Sequence, residues 1–177
     1  LAHRLKSHGK HICWIVVNGR LAEWLSGEGW PQEHTLHLQL DDNTPHIAYT
    51  RIPLKFHDLL VADRALRHRP TQGLHYLHRA AHALHSFIDR ENPSFIFGEN
   101  TWAHERIAAL ICASSRGKHI YLSPHAVRIP PARWGFFVGE DQEQLVGGSK
   151  LMASSTHQTP TTQIDTTPPS YVARNNE

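Results

Sequence analysis

The residues best suited to chemistry follow two predicted strands, at the points where those strands end. Glu99 comes directly after an apolar run, and His104 lies in the first turn of the helix predicted next. His125 follows a second apolar run, with Arg128 and Arg133 behind it on an extended, proline-flanked segment. A carboxylate, two histidines and two arginines suit deprotonation of a hydroxyl group beside a phosphate or carboxylate. We therefore predict Glu99 and His104 as catalytic residues and the other three as substrate-binding residues.

The start of the predicted helix gives these side chains a polar environment. Asn100 or Thr101 can cap the helix, and we also assign Asn100 to substrate binding. The helix dipole favours a bound anion, or Glu105 itself, at this end. The same dipole lowers the pKa of His104, which keeps the imidazole neutral and able to act as a base. We interpret Glu105 and Arg106 as solvated charges of the cap region.

A strand–loop–helix–strand pattern over residues 93–142 must position these groups. It predicts one βαβ unit, and ligands of such units bind beyond the carboxyl ends of the strands. An earlier apolar run, residues 11–17, is typical of a strand buried in a parallel sheet. That run ends near Asn18 and Arg20, which we also assign to substrate binding. The alternation of helices and strands predicts an α/β domain.

The clearest helix is predicted over residues 71–92. Four apolar residues fall together on one face and predict its buried side: Leu77, Ala81, Leu84 and Ile88. Four histidines form a second stripe beside that face: His75, His78, His82 and His85. Their spacing would let two imidazoles share a metal ion, but no carboxylate or cysteine completes a ligand set. We interpret them as structural or solvated histidines.

Weaker patterns occupy the region between these elements. Residues 36–40 alternate as in a half-exposed strand, and residues 46–53 suggest another short strand. Residues 56–66 have helical spacing, and Pro70 is expected to close that helix. Four aromatic residues further along the chain are interpreted as core: Trp102, Trp134, Phe136 and Phe137.

The composition excludes several classes of protein. The 177 residues suffice for one domain with a proper core, and the net charge of +2 gives no strong field for nucleic acid or an anionic membrane. No apolar run approaches the ~20 residues of a transmembrane helix. Sixteen histidines make the surface charge unusually dependent on pH below about 6.5.

Metal, cofactor and nucleophile signatures are missing. Cys13 and Cys112 lie in apolar runs and are interpreted as buried thiols of a reducing compartment, and no CxxC pair indicates structural zinc. GxGxxG, GxxxxGK[ST] and GxSxG do not occur. His104-Glu105 begins like a zinc-protease helix, but Ala108 stands where the second histidine should be. We therefore predict neither a metal nor a cofactor.

Two stretches carry a family resemblance, GENTWAHERIAALIC and YLSPHAVRIPPARWGFFVGEDQ. They look like bacterial capsule-polysaccharide and related surface-glycan biosynthesis proteins that resemble GT-B glycosyltransferases. The resemblance is clear over residues 93–142 and weaker before them. It implies a Rossmann-like three-layer sandwich with a mostly parallel sheet over residues 1–146. Residues 147–177, rich in Ser, Thr and Pro, are expected to be a disordered tail.

The resemblance also implies a function. It implies metal-independent transfer of a sugar from a nucleotide donor to a growing glycan, in the cytoplasm or peripheral to the inner membrane. The acceptor-side domain would supply Glu99 or His104 as the base, while Arg128 with His125 would contact the anionic donor or acceptor. In GT-B enzymes a second, C-terminal domain mostly binds the donor, so a downstream domain or partner chain is expected. The alternatives are a non-catalytic glycan-binding or assembly module, a truncated remnant, and a sugar-nucleotide epimerase-like domain.

Overall fold

The computed structural model describes residues 2–39, 48–123, 128–129, 133–139 and 144–147. The first part of the chain contains α1 (Ala2–Ser7), β1 (Trp14–Val16), α2 (Gly19–Gly27), a 3₁₀ turn (Gln32–His34) and β2 (Thr35–His37). β1 and β2 pair in parallel, with Trp14 opposite Thr35. The strand predicted over residues 11–17 and the one predicted near residue 36 are therefore present but shorter than expected.

Two helices follow, α3 (Phe56–Ala62) and the long α4 (Pro70–Glu91), with a 3₁₀ turn (Leu66–His68) between them. Pro70 is the first residue of α4 and does not close the preceding helix, so that prediction was wrong. The first turn of a helix needs no amide hydrogen from proline, and the fixed φ of proline suits that position. α4 ends at Glu91, and the left-handed backbone of the next residue, Asn92 (φ 46°), stops the helix. Residues 48–53 form no strand, and residues 46–47 lie outside the described residues.

The predicted βαβ unit is confirmed. It consists of β3 (Phe95–Phe97), α5 (Ala103–Ser114) and β4 (Ile120–Ser123), and Phe95 pairs with Ile120 in a parallel register. Three strands follow, β5 (Arg128–Ile129), β6 (Arg133–Val138) and β7 (Gln144–Gly147). β6 pairs antiparallel with β4, β5 and β7.

The structure is thus mixed α/β, as predicted, but the expected sheet is not observed in the described parts of the chain. These strands form two sheets, one of β1 and β2 and one of β3 to β7. Three of the five strand pairings are antiparallel, because β6 runs back along both β4 and β5 and then pairs with β7. The last strand includes Gly147, the first residue of the predicted tail, and residues 148–177 lie outside the described residues.

The main core surrounds α4. Its predicted buried face is confirmed, with Leu77, Ala81 and Leu84 at 0% exposure and Ile88 at 1%. A second, smaller cluster joins β1 to α2 through Val16, Leu25 and Trp30. Trp102 is 37% exposed, so its assignment to the core was wrong. Within the described residues, none of the helices has the length and apolar character needed to cross a membrane.

Candidate functional site

A cleft of about 770 Å³ opens between α3 and α5, beside the carboxyl end of β3. Leu59 and Leu110 give it an apolar part. Its polar lining consists of Lys55, Asp58, Asp63, Asn100, Thr101 and Arg106. Two cations and two carboxylates in one concave surface, with an apolar wall, are typical of a site for a small polar ligand.

Asp63 connects the two helices that form this cleft. It follows α3 directly and is 3% exposed. Its Oδ1 accepts hydrogen bonds from the backbone amides of Ala65 (2.9 Å) and Leu66 (3.0 Å). Its Oδ2 accepts one from the amide of Ala103 (2.9 Å), the first residue of α5. The carboxylate of Asp63 therefore lies at the amino end of α5, where the helix dipole would favour a bound anion.

Glu105 organises the loop before α5. Its carboxylate accepts hydrogen bonds from the amides of Glu99 (3.2 Å), Thr101 (2.8 Å) and Trp102 (2.9 Å). The interpretation of Glu105 as a solvated charge was therefore wrong, whereas its expected place at the helix dipole is confirmed. The cap comes from the Glu105 carboxylate, which accepts from the amide of Trp102. Trp102 occupies the capping position, so the prediction that Asn100 or Thr101 caps the helix was wrong.

Glu99 lies at the end of β3, as predicted, with an exposed side chain. The buried hydroxyl of Ser123, at the end of β4, donates to the backbone oxygen of Glu99 (3.2 Å). Asn100 follows in a left-handed conformation (φ 59°) and turns the chain towards the cleft. Glu99 therefore stands at the carboxyl ends of the strands, but among the predicted residues whose side chains the structure describes, only Asn100 lines the cleft.

His104 has a lowered pKa, as predicted, although the cause differs. Burial of the ring lowers the pKa, and the negative charges of Glu105 and Asp63 partly oppose that shift. The imidazole is therefore neutral at pH 7 and capable of accepting a proton. His104 does not belong to the lining of the cleft between α3 and α5.

The remaining predicted substrate-binding residues are spread over the chain. Asn18 caps α2, and its Oδ1 accepts a hydrogen bond from the amide of Arg20 (2.9 Å), whose side chain is exposed. Arg128 lies in β5 and Arg133 in β6, where the two strands pair, but their side chains are outside the described residues. His125 lies outside them entirely. The structure therefore gives Asn18 a capping role and leaves the other assignments as predictions.

The histidines of α4 hold the segment before α3. The amide of Tyr49 donates to Nδ1 of His78 (3.0 Å), and the Tyr49 hydroxyl is hydrogen-bonded to Nδ1 of His85. His82 Nε2 bonds to the backbone oxygen of Ala48 (3.2 Å). These bonds support a structural role for the stripe.

A second cluster of reactive side chains was missed from the sequence. His11, Cys13 and His34 all approach Oε2 of Glu91, at 3.2, 3.3 and 2.9 Å. Burial raises the pKa of Glu91, but hydrogen bonds, the strongest from Arg90, outweigh that effect and hold it at about 2. Burial, together with the Glu91 carboxylate, raises the pKa of Cys13 to about 12. His11 and Cys13 are two residues apart, which places both on one side of an extended chain. No local pattern in the sequence indicates that His34 and Glu91 join them.

No protein-family model, curated protein or solved structure matches this chain. A function must therefore be argued from the chemistry of the sites themselves.

Proposed function

We propose that this protein binds a glycan or another sugar-containing ligand in the cleft between α3 and α5. In the wider proposal it is the Rossmann-like, acceptor-side part of a glycosyltransferase-like protein for capsular or surface polysaccharide synthesis. The donor would be a nucleotide sugar, with its main binding site on a second domain or a partner chain. The observation that carries the proposal is the cleft itself, since it combines paired charges with an apolar wall at the carboxyl end of a parallel strand pair.

The chemistry of the lining supports a polyhydroxylated ligand. Lys55 and Arg106 are donors, whereas Asp58 accepts, so the cleft offers both partners that sugar hydroxyl groups need. Trp102 lies between the lining residues Thr101 and Ala103 in the sequence, is 37% exposed, and carries the guanidinium of Arg64 at 5.7 Å over its ring. Such an exposed aromatic ring offers a flat apolar surface on which the C–H face of a sugar ring can stack.

Binding has more support than catalysis within the described residues. Glu99 and His104 flank the loop before α5 but are not part of the cleft lining. A non-catalytic glycan-binding module is therefore the second candidate, and this separation is the observation that favours it. Catalysis by Glu99 or His104 would require a substrate that extends from the cleft across the loop.

Ligand binding can be tested by saturation-transfer NMR and calorimetry with nucleotide sugars and with neutral and anionic oligosaccharides. We expect the double variant Lys55→Ala/Asp58→Ala to weaken binding by about 10-fold or more, because each lost charged hydrogen bond is worth ~1.5–3 kcal/mol. The matched control is Lys10→Ala/Glu23→Ala, which removes the same charges from exposed positions on other elements. The proposal fails if neither the nucleotide sugars nor the oligosaccharides bind, or if both double variants weaken binding equally.

Hydrolysis of the nucleotide-sugar donor by the isolated chain separates the two candidates. Turnover that disappears in Glu99→Gln supports an enzyme and excludes a purely binding module. Glycan binding without turnover supports the binding module.

A further inference from the structure

Four potential metal ligands from three distant segments meet at the end of α4. His11 and Cys13 lie just before β1, His34 lies just before β2, and Glu91 is the last residue of α4. One donor atom from each residue lies within 4.8 Å of all the others. We propose that His11, Cys13, His34 and Glu91 form a structural zinc site that fastens residues 2–39 to α4.

The spacing of the donor atoms fits a tetrahedral ion. Bonds of about 2.0–2.3 Å to zinc separate neighbouring ligand atoms by roughly 3.3–3.8 Å. Oε2 of Glu91 already lies 2.9–3.3 Å from the nitrogens of His11 and His34 and the sulfur of Cys13. An ion between the four atoms requires these three contacts to lengthen by a few tenths of an ångström. The remaining donor pairs, which lie no more than 4.8 Å apart, would close by at most about 1.5 Å, within the reach of side-chain rotation.

The types of donor select the metal. Two imidazoles, one thiolate and one carboxylate are ligands that zinc accepts, whereas calcium and magnesium require shells of oxygen atoms. Binding converts the Cys13 thiol into a thiolate and releases its proton to solvent. The two charges of the ion are then balanced by this thiolate and the Glu91 carboxylate, with both histidines neutral. The occupied site carries no net charge, as suits a half-buried position.

A neighbouring residue holds the carboxylate in position. Nε of Arg90 donates to Oε1 of Glu91 (2.7 Å), which leaves Oε2 directed at the other three ligands. The same guanidinium donates to the backbone oxygen of Glu33 (2.8 Å), next to His34. Hydrogen bonds of this kind orient the ligands of protein metal sites. The Glu91 side chain is 6% exposed and that of His11 is 55% exposed, so an ion can enter from the His11 side.

The location indicates a structural and not a catalytic ion. The ligands adjoin the amino ends of β1 and β2, whereas the cleft adjoins the carboxyl end of β3. Four protein ligands close the coordination shell and leave no position for a substrate. Residues 2–39 have a small cluster of their own, with Val16, Leu25 and Trp30 as its buried residues. Leu38, with the partly buried Ile15 and Leu36, joins the segment to the main core, and a bound ion would add to this limited apolar contact. Zinc affinity would therefore contribute directly to the folding of this segment.

The test uses the full, untagged chain and cobalt(II) chloride, because cobalt occupies tetrahedral zinc sites and reports a bound thiolate in its absorption spectrum. We expect one cobalt per chain with a thiolate-to-cobalt charge-transfer band that zinc sulfate abolishes. Cys13→Ser should lose that band, whereas Cys112→Ala, which removes the other cysteine, should keep it. Binding by the α4 histidine stripe would give cobalt bands without charge transfer. That result in the unmodified chain would overturn the proposal even if Cys13→Ser does not fold.

Thermal unfolding separates metal binding from the hydrogen bonds of the cluster. Serine can still donate to Glu91, so Cys13→Ser and the unmodified chain should melt at similar temperatures in EDTA. With zinc, the unmodified chain should gain stability and the variant should bind at least tenfold more weakly. Zinc should also slow amide exchange in β1 and β2. An equal gain in both proteins, or unchanged exchange in these strands, would refute the site or its role.

Discussion

Asp63→Ala removes the carboxylate that joins the end of α3 to the start of α5. Three backbone amides lose their acceptor, those of Ala65, Leu66 and Ala103. The bonds to Leu66 and Ala103 are buried, whereas Ala65 is exposed and its amide can turn to water. Each buried, unsatisfied amide costs roughly 1–3 kcal/mol, although a cavity that admits water recovers part of it. We therefore expect the free energy of unfolding to fall by about 3–5 kcal/mol, a large share of the ~5–15 kcal/mol of a typical domain.

Asp63→Asn separates the contributions of the two carboxylate oxygens. The amide oxygen can still accept from Ala65 and Leu66, but the NH₂ group then faces the N–H of Ala103. One charge-assisted bond is lost, so the expected loss is about 1–3 kcal/mol. A loss smaller than that of Asp63→Ala would show that the rest of the stabilisation comes from the bonds of Asp63 to the turn after α3.

Urea unfolding followed by far-ultraviolet circular dichroism measures both changes, with linear extrapolation to water. Asp58→Ala is the matched control, because Asp58 is an exposed acidic residue in the first turn of α3. Its loss should cost only about 0.3–1 kcal/mol, through the helix dipole. If Asp63→Ala costs no more than Asp58→Ala, the carboxylate does not hold the two helices together and the reasoning is wrong.

Three further predictions concern the core and the loop before α5. Gly98→Ala should lower the free energy of unfolding by about 1–3 kcal/mol, since a Cβ would lie 2.2 Å from the hydroxyl of the buried Tyr121. Adding Tyr121→Phe should recover part of that loss, as measured by urea unfolding. Leu84→Ala should cost about 2–5 kcal/mol, because its fully buried side chain leaves a cavity beneath α4, and a smaller loss would show that the core refills the space. Burial lowers the pKa of His104 below that in the unfolded chain, despite the opposing charges of Glu105 and Asp63. The unfolded chain therefore binds more protons below about pH 6.5, so stability should fall as the pH is lowered, and His104→Asn should flatten that part of the curve. An unchanged slope in the variant would contradict the lowered pKa.

Local signals predicted the βαβ unit correctly but not the chemistry of its loop. Glu105 was expected at the helix dipole, since an acidic residue in the first turn is a local feature. Its three bonds to the amides of the preceding loop depend on how that loop folds back over the helix. Asp63 carried no signal of its own, because its contact with Ala103 spans 40 residues. The sheet was also mispredicted, since the direction in which β6 pairs with β4 is decided by strand pairing and leaves no local pattern in the sequence.

The sequence by itself determined the long helix and its buried face. Leu77, Ala81 and Leu84 recur at the period of an α-helix, and this pattern is local because neighbouring turns of a helix are close in the chain. Only the tertiary structure assembled the sites. His11 and His34 reach Glu91 across 80 and 57 residues, and the cleft needs α3 and α5 side by side. A site formed by residues so far apart depends on how the elements pack, and their spacing in the sequence carries no record of that packing.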